Sequence, residues 1–334
     1  MMRLKRWVRK CKIVYSFNLS NLSTYRQEMM GLSIAMVLLC HARMNGAALP
    51  SLILSLLSLG NWGVDIFFLL SGVGIYYSLQ KCDNQGTSLR NWYLKRFKRI
   101  LIPYLVLETP YWLWYTIHSG KEFLDFIYYM SMVSFWRDGI GLWFLAFLIP
   151  LYLAAPFLYQ LFAKKWGIFY LSSLVCLCLL SPLITPPDLI NKTIDITLFY
   201  LPRISLFLIG LGLGDRVLKG KKLNCLFILG LLLVSHFFAI SSAVYKGWLW
   251  AILIVVLYTK IKECFSLKMK FFSILGQYTL ELYIGLDLSS YILSYFLPSG
   301  TAYWLGTIVG SCLLTMSYIY LKIEFLKRKK LCGL

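Results

Sequence analysis

Charge is what this sequence most lacks. Asp, Glu, Lys and Arg make up 14% of its 334 residues, where roughly 25% is usual in a soluble domain. Acidic residues are fewest, 14 against 34 Lys and Arg, and histidine occurs only three times. Apolar residues reach 59%, against roughly 45–50% in ordinary domains, and a water-soluble fold cannot hide that much apolar surface. The nine cysteines fall in apolar runs or beside basic stretches, and the pair Cys176 and Cys178 sits mid-run without a partner histidine. That usage excludes a disulfide framework and a metal cluster. No internal repeat and no low-complexity linker divides the chain, so a single domain is expected.

What the chain does have is apolar runs of about 20 residues, each long enough to cross roughly 30 Å of hydrocarbon. They lie near 28–47, 62–80, 100–118, 139–161, 166–185, 198–214, 223–240, 243–259, 271–296 and 302–322. The expectation is an all-α polytopic transmembrane helix bundle of about ten spans, with 50–60 and 122–135 as interfacial segments. A transmembrane domain over 28–322 is then flanked by a basic segment, 1–27, and a basic tail, 323–334. The opening MMRLKRWVRKCK is followed by a polar stretch and then by an apolar run too long for a signal peptide, so no cleavage is expected.

Lys and Arg alternate sharply between the connecting segments. With the N-terminus inside, 27 of them fall on the cytoplasmic side and five on the outer side. That asymmetry places both termini on the cytoplasmic side of a membrane that the chain crosses several times. The formal charge of +20 is thereby a topology signal and no pointer to nucleic acid, although the run from Lys81 to Arg99 suits anionic lipid or a phosphorylated ligand.

Ionisable groups inside a bilayer are costly and usually face the protein interior. Here they are His41, Asp65, Glu108, Arg203, Glu281 and Asp287. His41 lies 13 residues past Glu28, hence about 20 Å deeper. Asp65 starts the returning helix at the same depth. A neutral imidazole near a carboxylate suits a general base that takes a proton from a hydroxyl, and it suits equally a hydrogen-bonded pair that only joins helices. Asn61, Asp65, Gly72 and Tyr76 share one helical face, whose glycines admit another helix or a ligand. Cys40 points about 100° away from its neighbour His41, against a thiol nucleophile. His118 and His236 read as structural. A transporter or flippase using His41, Asp65 and Glu108 as an intramembrane polar path is the alternative reading, but no inverted repeat supports it.

Four blocks carry a resemblance. They are MGLSIAMVLLCH ending at His41, GNWGVDIFFLLSGVGIY from Gly60, RNWYLKRFKRILIPY from Arg90, and a later set, LWFLAFLIPLYLAAP, PRISLFLIGLGLG and LGQYTLELYIG. In this order, over nearly the whole chain, they resemble the acyltransferase 3 family of integral-membrane acyltransferases. The resemblance implies transfer of an acyl group, usually acetyl from acetyl-coenzyme A, to a hydroxyl or occasionally an amino group of a carbohydrate or other cell-surface molecule, and the expectation here is a hydroxyl of a surface polysaccharide or its lipid-linked precursor at a plasma membrane. Acyl-coenzyme A would be a co-substrate, and no tightly bound cofactor is implied. By position, His41 and Asp65 are the implied catalytic residues, while Arg26, Arg96 and Arg99 suit the phosphates of coenzyme A. For each of those arginines, positive-inside anchoring is an equal reading. Trp143, Arg203, Glu281 and Tyr283 of the later blocks are the implied substrate-binding positions. Two positions depart from the family: Met30 stands where an Arg precedes the first-helix His by eleven residues, and Leu286, followed by Asp287, replaces a late His.

Overall fold

A computed structural model describes residues 16–180, 192–224, 243–265 and 269–331. Most of the expected span 223–240, and the end of 166–185, lie outside the described residues. Beginning at Ser16, strand β1 (Ser16–Asn18) and helix α1 (Asn21–Thr24) lead into α2 (Arg26–Met44), the first long helix. A short α3 (Ser51–Ser58), with no buried residue, runs through one 3-10 turn into α4 (Trp62–Asn84). Next come α5 (Leu89–His118), α6 (Phe123–Met130), α7 (Val133–Asp138), α8 (Trp143–Ala163), α9 (Gly167–Leu180) and α10 (Lys192–Leu218). Strand β2 (Lys222–Asn224) precedes α11 (Ala243–Phe265), α12 (Lys270–Leu275), α13 (Thr279–Leu293) and α14 (Thr301–Leu331).

Among the described residues three helical runs, Ser51–Asn84, Trp143–Ala163 and Thr301–Lys327, are long and apolar enough to cross a membrane by themselves. Others, such as α5, carry charge at one end: its first turns hold the basic run 90–99, and the Ser88 side chain caps them by accepting from the Asn91 N–H at 3.4 Å. Pro103 and Pro110 of α5 and Pro150 and Pro156 of α8 sit inside helices, as membrane helices tolerate where neighbours meet the freed carbonyls. Large apolar side chains such as Leu153, Phe157, Leu313 and Met316 point outward, which is the surface a helix presents to lipid.

Helix α4 is the centre of the bundle. Every residue from Gly63 to Val73 is buried, so no face of it is left for solvent or lipid. It crosses α10 at reciprocal glycines: a methyl on Gly72 would strike the Phe207 carbonyl, and one on Gly210 would strike the Leu69 carbonyl. Tyr76 lies over Gly214 of α10. The face bearing Asp65, Gly72 and Tyr76 is therefore the seam between α4 and α10.

Two findings refine the sequence expectation. Among the described residues the fold is nearly all-α, with one small antiparallel ladder in which Phe17 pairs with Leu223. And the stretch 271–296, expected as one span, is two helices, α12 and α13, separated by a turn at Gly276–Tyr278. The break lets α12 cross α2 at backbone contact, because side chains at Gly31 and Gly276 would collide with the carbonyls of Phe272 and Gln27. At one end of the bundle Glu28 pairs with Lys262 at 2.7 Å, and Asn21 donates to Glu263 at 2.7 Å. At the other, the Gly300 N–H donates to Asn45 at 2.7 Å and the Ala48 N–H to Thr301 Oγ1 at 2.8 Å. Arg26 and His41, at opposite ends of α2, are fifteen residues apart in sequence and hence about 22 Å apart along its axis.

Candidate active site

The arginine end of α2 opens on a cavity of about 380 Å³. Arg26 enters it from α2, Ser71, Gly74 and Tyr77 from α4, Arg96 and Arg99 from α5, Tyr152 from α8, and Thr279 and Tyr283 from α13. Arg96 and Arg99 are three apart on α5, so both face the same way. Arg26 Nε donates to the Leu70 carbonyl at 3.1 Å, and its guanidinium lies flat against Gly74, where a methyl would come within 2.9 Å of it. Three guanidinium groups thus converge with no carboxylate among the lining residues. Such a cavity attracts a multiply charged anion, and phosphate in particular, because guanidinium donors match its oxygens in pairs.

The histidine end holds a second cavity, of about 390 Å³. His41, Asn61, Trp143, Tyr200, Arg203, Tyr283 and Asp287 line it, with Cys40 and Arg43 at its edge. His41 Nδ1 lies 2.7 Å from the Val37 carbonyl. A carbonyl has no proton to give, so Nδ1 must carry the hydrogen, and in the neutral ring Nε2 keeps its lone pair. The imidazole is half-buried. It is placed to accept a proton from a group bound in the cavity.

Asp65 does not hold His41. It pairs with Arg203 at 3.4 Å, both side chains being buried, and Arg203 also donates to the Asn61 carbonyl at 3.4 Å. Gly247 of α11 covers the carboxylate; a methyl there would lie 3.1 Å from Asp65 Oδ2. The guanidinium stands 5.4 Å above the Trp143 ring, which stacks on Tyr200 at 4.4 Å. Asp65 therefore acts on the cavity through Arg203, fixing a cation beside an aromatic wall. Asp65 Oδ1 and Arg203 Nε have no hydrogen-bond partner among the described residues.

Of the positions implied by resemblance, Arg26, Arg96 and Arg99 share the first cavity, and His41, Trp143 and Arg203 the second. Tyr283 lines both. Glu281 lines neither; it sits in the first turn of α13 within electrostatic range of Lys322 and Arg99. Sequence reasoning assigned no role to Asn61, Tyr200 or Asp287 in the second cavity. Asp287 had a signal, since it follows the departure at Leu286, but Tyr200 had none beyond aromaticity. Behind Asp287 a void of about 10 Å³ is lined also by Glu108, whose Oε2 accepts from the Trp112 indole at 2.9 Å. Among the described residues no cluster of His, Cys, Asp and Glu is arranged to hold a metal.

No curated protein and no solved structure matches this chain. The model of the acyltransferase domain family does, over residues 29–321. That stretch takes in the histidine cavity's described lining and all of the arginine cavity's except Ser23 and Arg26, and on this match the chain belongs to the acyltransferase 3 family of membrane acyltransferases.

Proposed function

We propose that the chain transfers an acyl group, acetyl in the first instance, from acyl-coenzyme A to a hydroxyl of a surface polysaccharide or its lipid-linked precursor in the plasma membrane. The observation that carries this reading is the pairing of two cavities of opposite character along one helix: three guanidiniums at one end of α2 and a histidine with a free Nε2 at the other. In this reading the phosphates of coenzyme A rest among Arg26, Arg96 and Arg99 on the cytoplasmic side, and the pantetheine arm carries the thioester inward. The acceptor occupies the His41 cavity against Trp143 and Tyr200, a wall suited to the apolar face of a sugar ring.

Chemistry then needs one proton transfer and one displacement. His41 Nε2 takes the hydroxyl proton as the acceptor oxygen attacks the thioester carbonyl. Arg203, held by Asp65, offers positive charge to the oxyanion that develops. Collapse breaks the carbon–sulfur bond, and the proton passes to the departing thiolate, leaving the ester and the coenzyme A thiol.

The test is label transfer. Membranes carrying the wild-type chain, given labelled acetyl-coenzyme A, are expected to place label in surface glycan. His41→Ala at matched expression should reduce that by roughly 10²–10⁴-fold, the range for loss of a general base. Undiminished label in the variant would remove His41 from the chemistry. Substrate flux with no label in either chain would point to transport instead.

A further inference from the structure

We infer that the Tyr283 side chain is the partition between the donor and acceptor cavities, and that its displacement is what lets the thioester reach the acceptor. This rests on the acyl-transfer reading above.

Among the described residues Tyr283 is the one that lines both cavities. Around it the boundary falls between neighbours: on α8 Trp143 faces the histidine cavity and Phe144 the arginine cavity, and on α4 Val64 and Phe67 divide in the same way. The Phe144 ring stands edge-on to the Tyr283 ring at 5.6 Å. The phenol oxygen accepts from the Phe144 N–H at 3.4 Å. That N–H lies in the first turn of α8, where no helical carbonyl is available to it. A bond of this length is weak, so it marks a resting position that the side chain can leave. The backbone is less free. Gly285, two residues on, lies against Ser311 of α14, and Ser311 Oγ donates to the Leu282 carbonyl at 2.7 Å. Opening by rotation of the Tyr283 side chain costs less than moving α13.

Attack requires the acceptor oxygen and thioester carbon to approach to roughly 3–3.5 Å, which two closed cavities do not allow. A partition that opens only for transfer also has a use between turnovers. While closed it keeps water of the acceptor side from the thioester. Without it, water adds to the carbonyl, the carbon–sulfur bond breaks, and the proton goes to the thiolate, giving free acid and the coenzyme A thiol.

Two measurements test this, one independent of catalysis. In oriented vesicles, a membrane-impermeant maleimide is added from the arginine side to a chain carrying Asn61→Cys, and the labelled peptide is identified by mass. With Tyr283 present, or with Tyr283→Phe, which keeps the ring, position 61 should stay unlabelled. With Tyr283→Ala, or with the milder Tyr283→Leu should the alanine variant fail to fold, it should label. In the otherwise unaltered purified chain, given acetyl-coenzyme A without acceptor, Tyr283→Ala should release thiol about tenfold faster than wild type or more. Position 61 labelling equally with Tyr283 intact, or staying closed in both truncated variants, overturns the partition. Labelling that opens while acetyl-coenzyme A stays uncleaved upholds the partition and counts against acyl transfer.

Discussion

The two cavities are nearly equal in volume and share helices α2, α4, α8 and α13, yet they are built on opposite electrostatic plans. The arginine cavity leaves its charge open: Arg26, Arg96 and Arg99 face it with no carboxylate among the lining residues. In the histidine cavity Arg203 is neutralised by Asp65 behind it, Asp287 adds a carboxyl group, and Trp143 and Tyr200 supply a flat apolar wall. Unbalanced positive charge is tolerable at a membrane surface, where water and a polyanionic ligand compensate it, and costly deep in a bundle. The difference teaches that the same bundle holds three guanidiniums open in one cavity while, in the other, it pairs Arg203 internally with Asp65.

The largest effect expected from breaking this contrast is at the buried pair. Arg203→Ala leaves Asp65 uncompensated and should cost about 3–5 kcal/mol, the range for removing one partner of a buried ion pair. It should appear as a lower thermal midpoint in detergent, and the double variant Asp65→Leu with Arg203→Leu should recover most of it. A loss in the double variant equal to the sum of the two single losses would mean that the two groups are not coupled. Next in size, Arg96→Ala or Arg99→Ala should each weaken acyl-coenzyme A binding about tenfold, the worth of one charge-assisted contact. Calorimetry should also find binding less sensitive to salt in those variants. Gly74→Ala should have a smaller effect in the same direction, since its methyl would crowd the Arg26 guanidinium. Smallest of all, Glu281→Gln should change label transfer by less than about twofold, because the half-buried side chain lines neither cavity and the substitution keeps its size.

Much of this architecture was legible in the sequence, because bilayer thickness fixes helix length and the cost of intramembrane charge singles out a few positions. The helices α2, α4, α8 and α14 follow their apolar runs closely. The grouping of Arg26 with Arg96 and Arg99 was also readable. What failed was the assignment of partners. Depth along a helix does not give rotation in the bundle, and Asp65 turned toward Arg203, 138 residues away, instead of toward His41. The face shared by Asp65, Gly72 and Tyr76 was open to a helix or a ligand, and α10 took it. The division of 271–296 was hidden for the same reason, since it depends on Gly31 and Gly276 meeting in space. Tyr283 stood out only as part of a block, and its place between two cavities belongs to the fold alone.

The most direct test of the account is sidedness in vesicles of defined orientation that contain glycan acceptor. Labelled acetyl-coenzyme A offered to the face that exposes Arg96 and Arg99 should place label in acceptor on the opposite face, and the same donor offered to the His41 face should not. Transfer from either side alike, or label confined to the arginine face, would contradict a donor cavity and an acceptor cavity arranged end to end along α2.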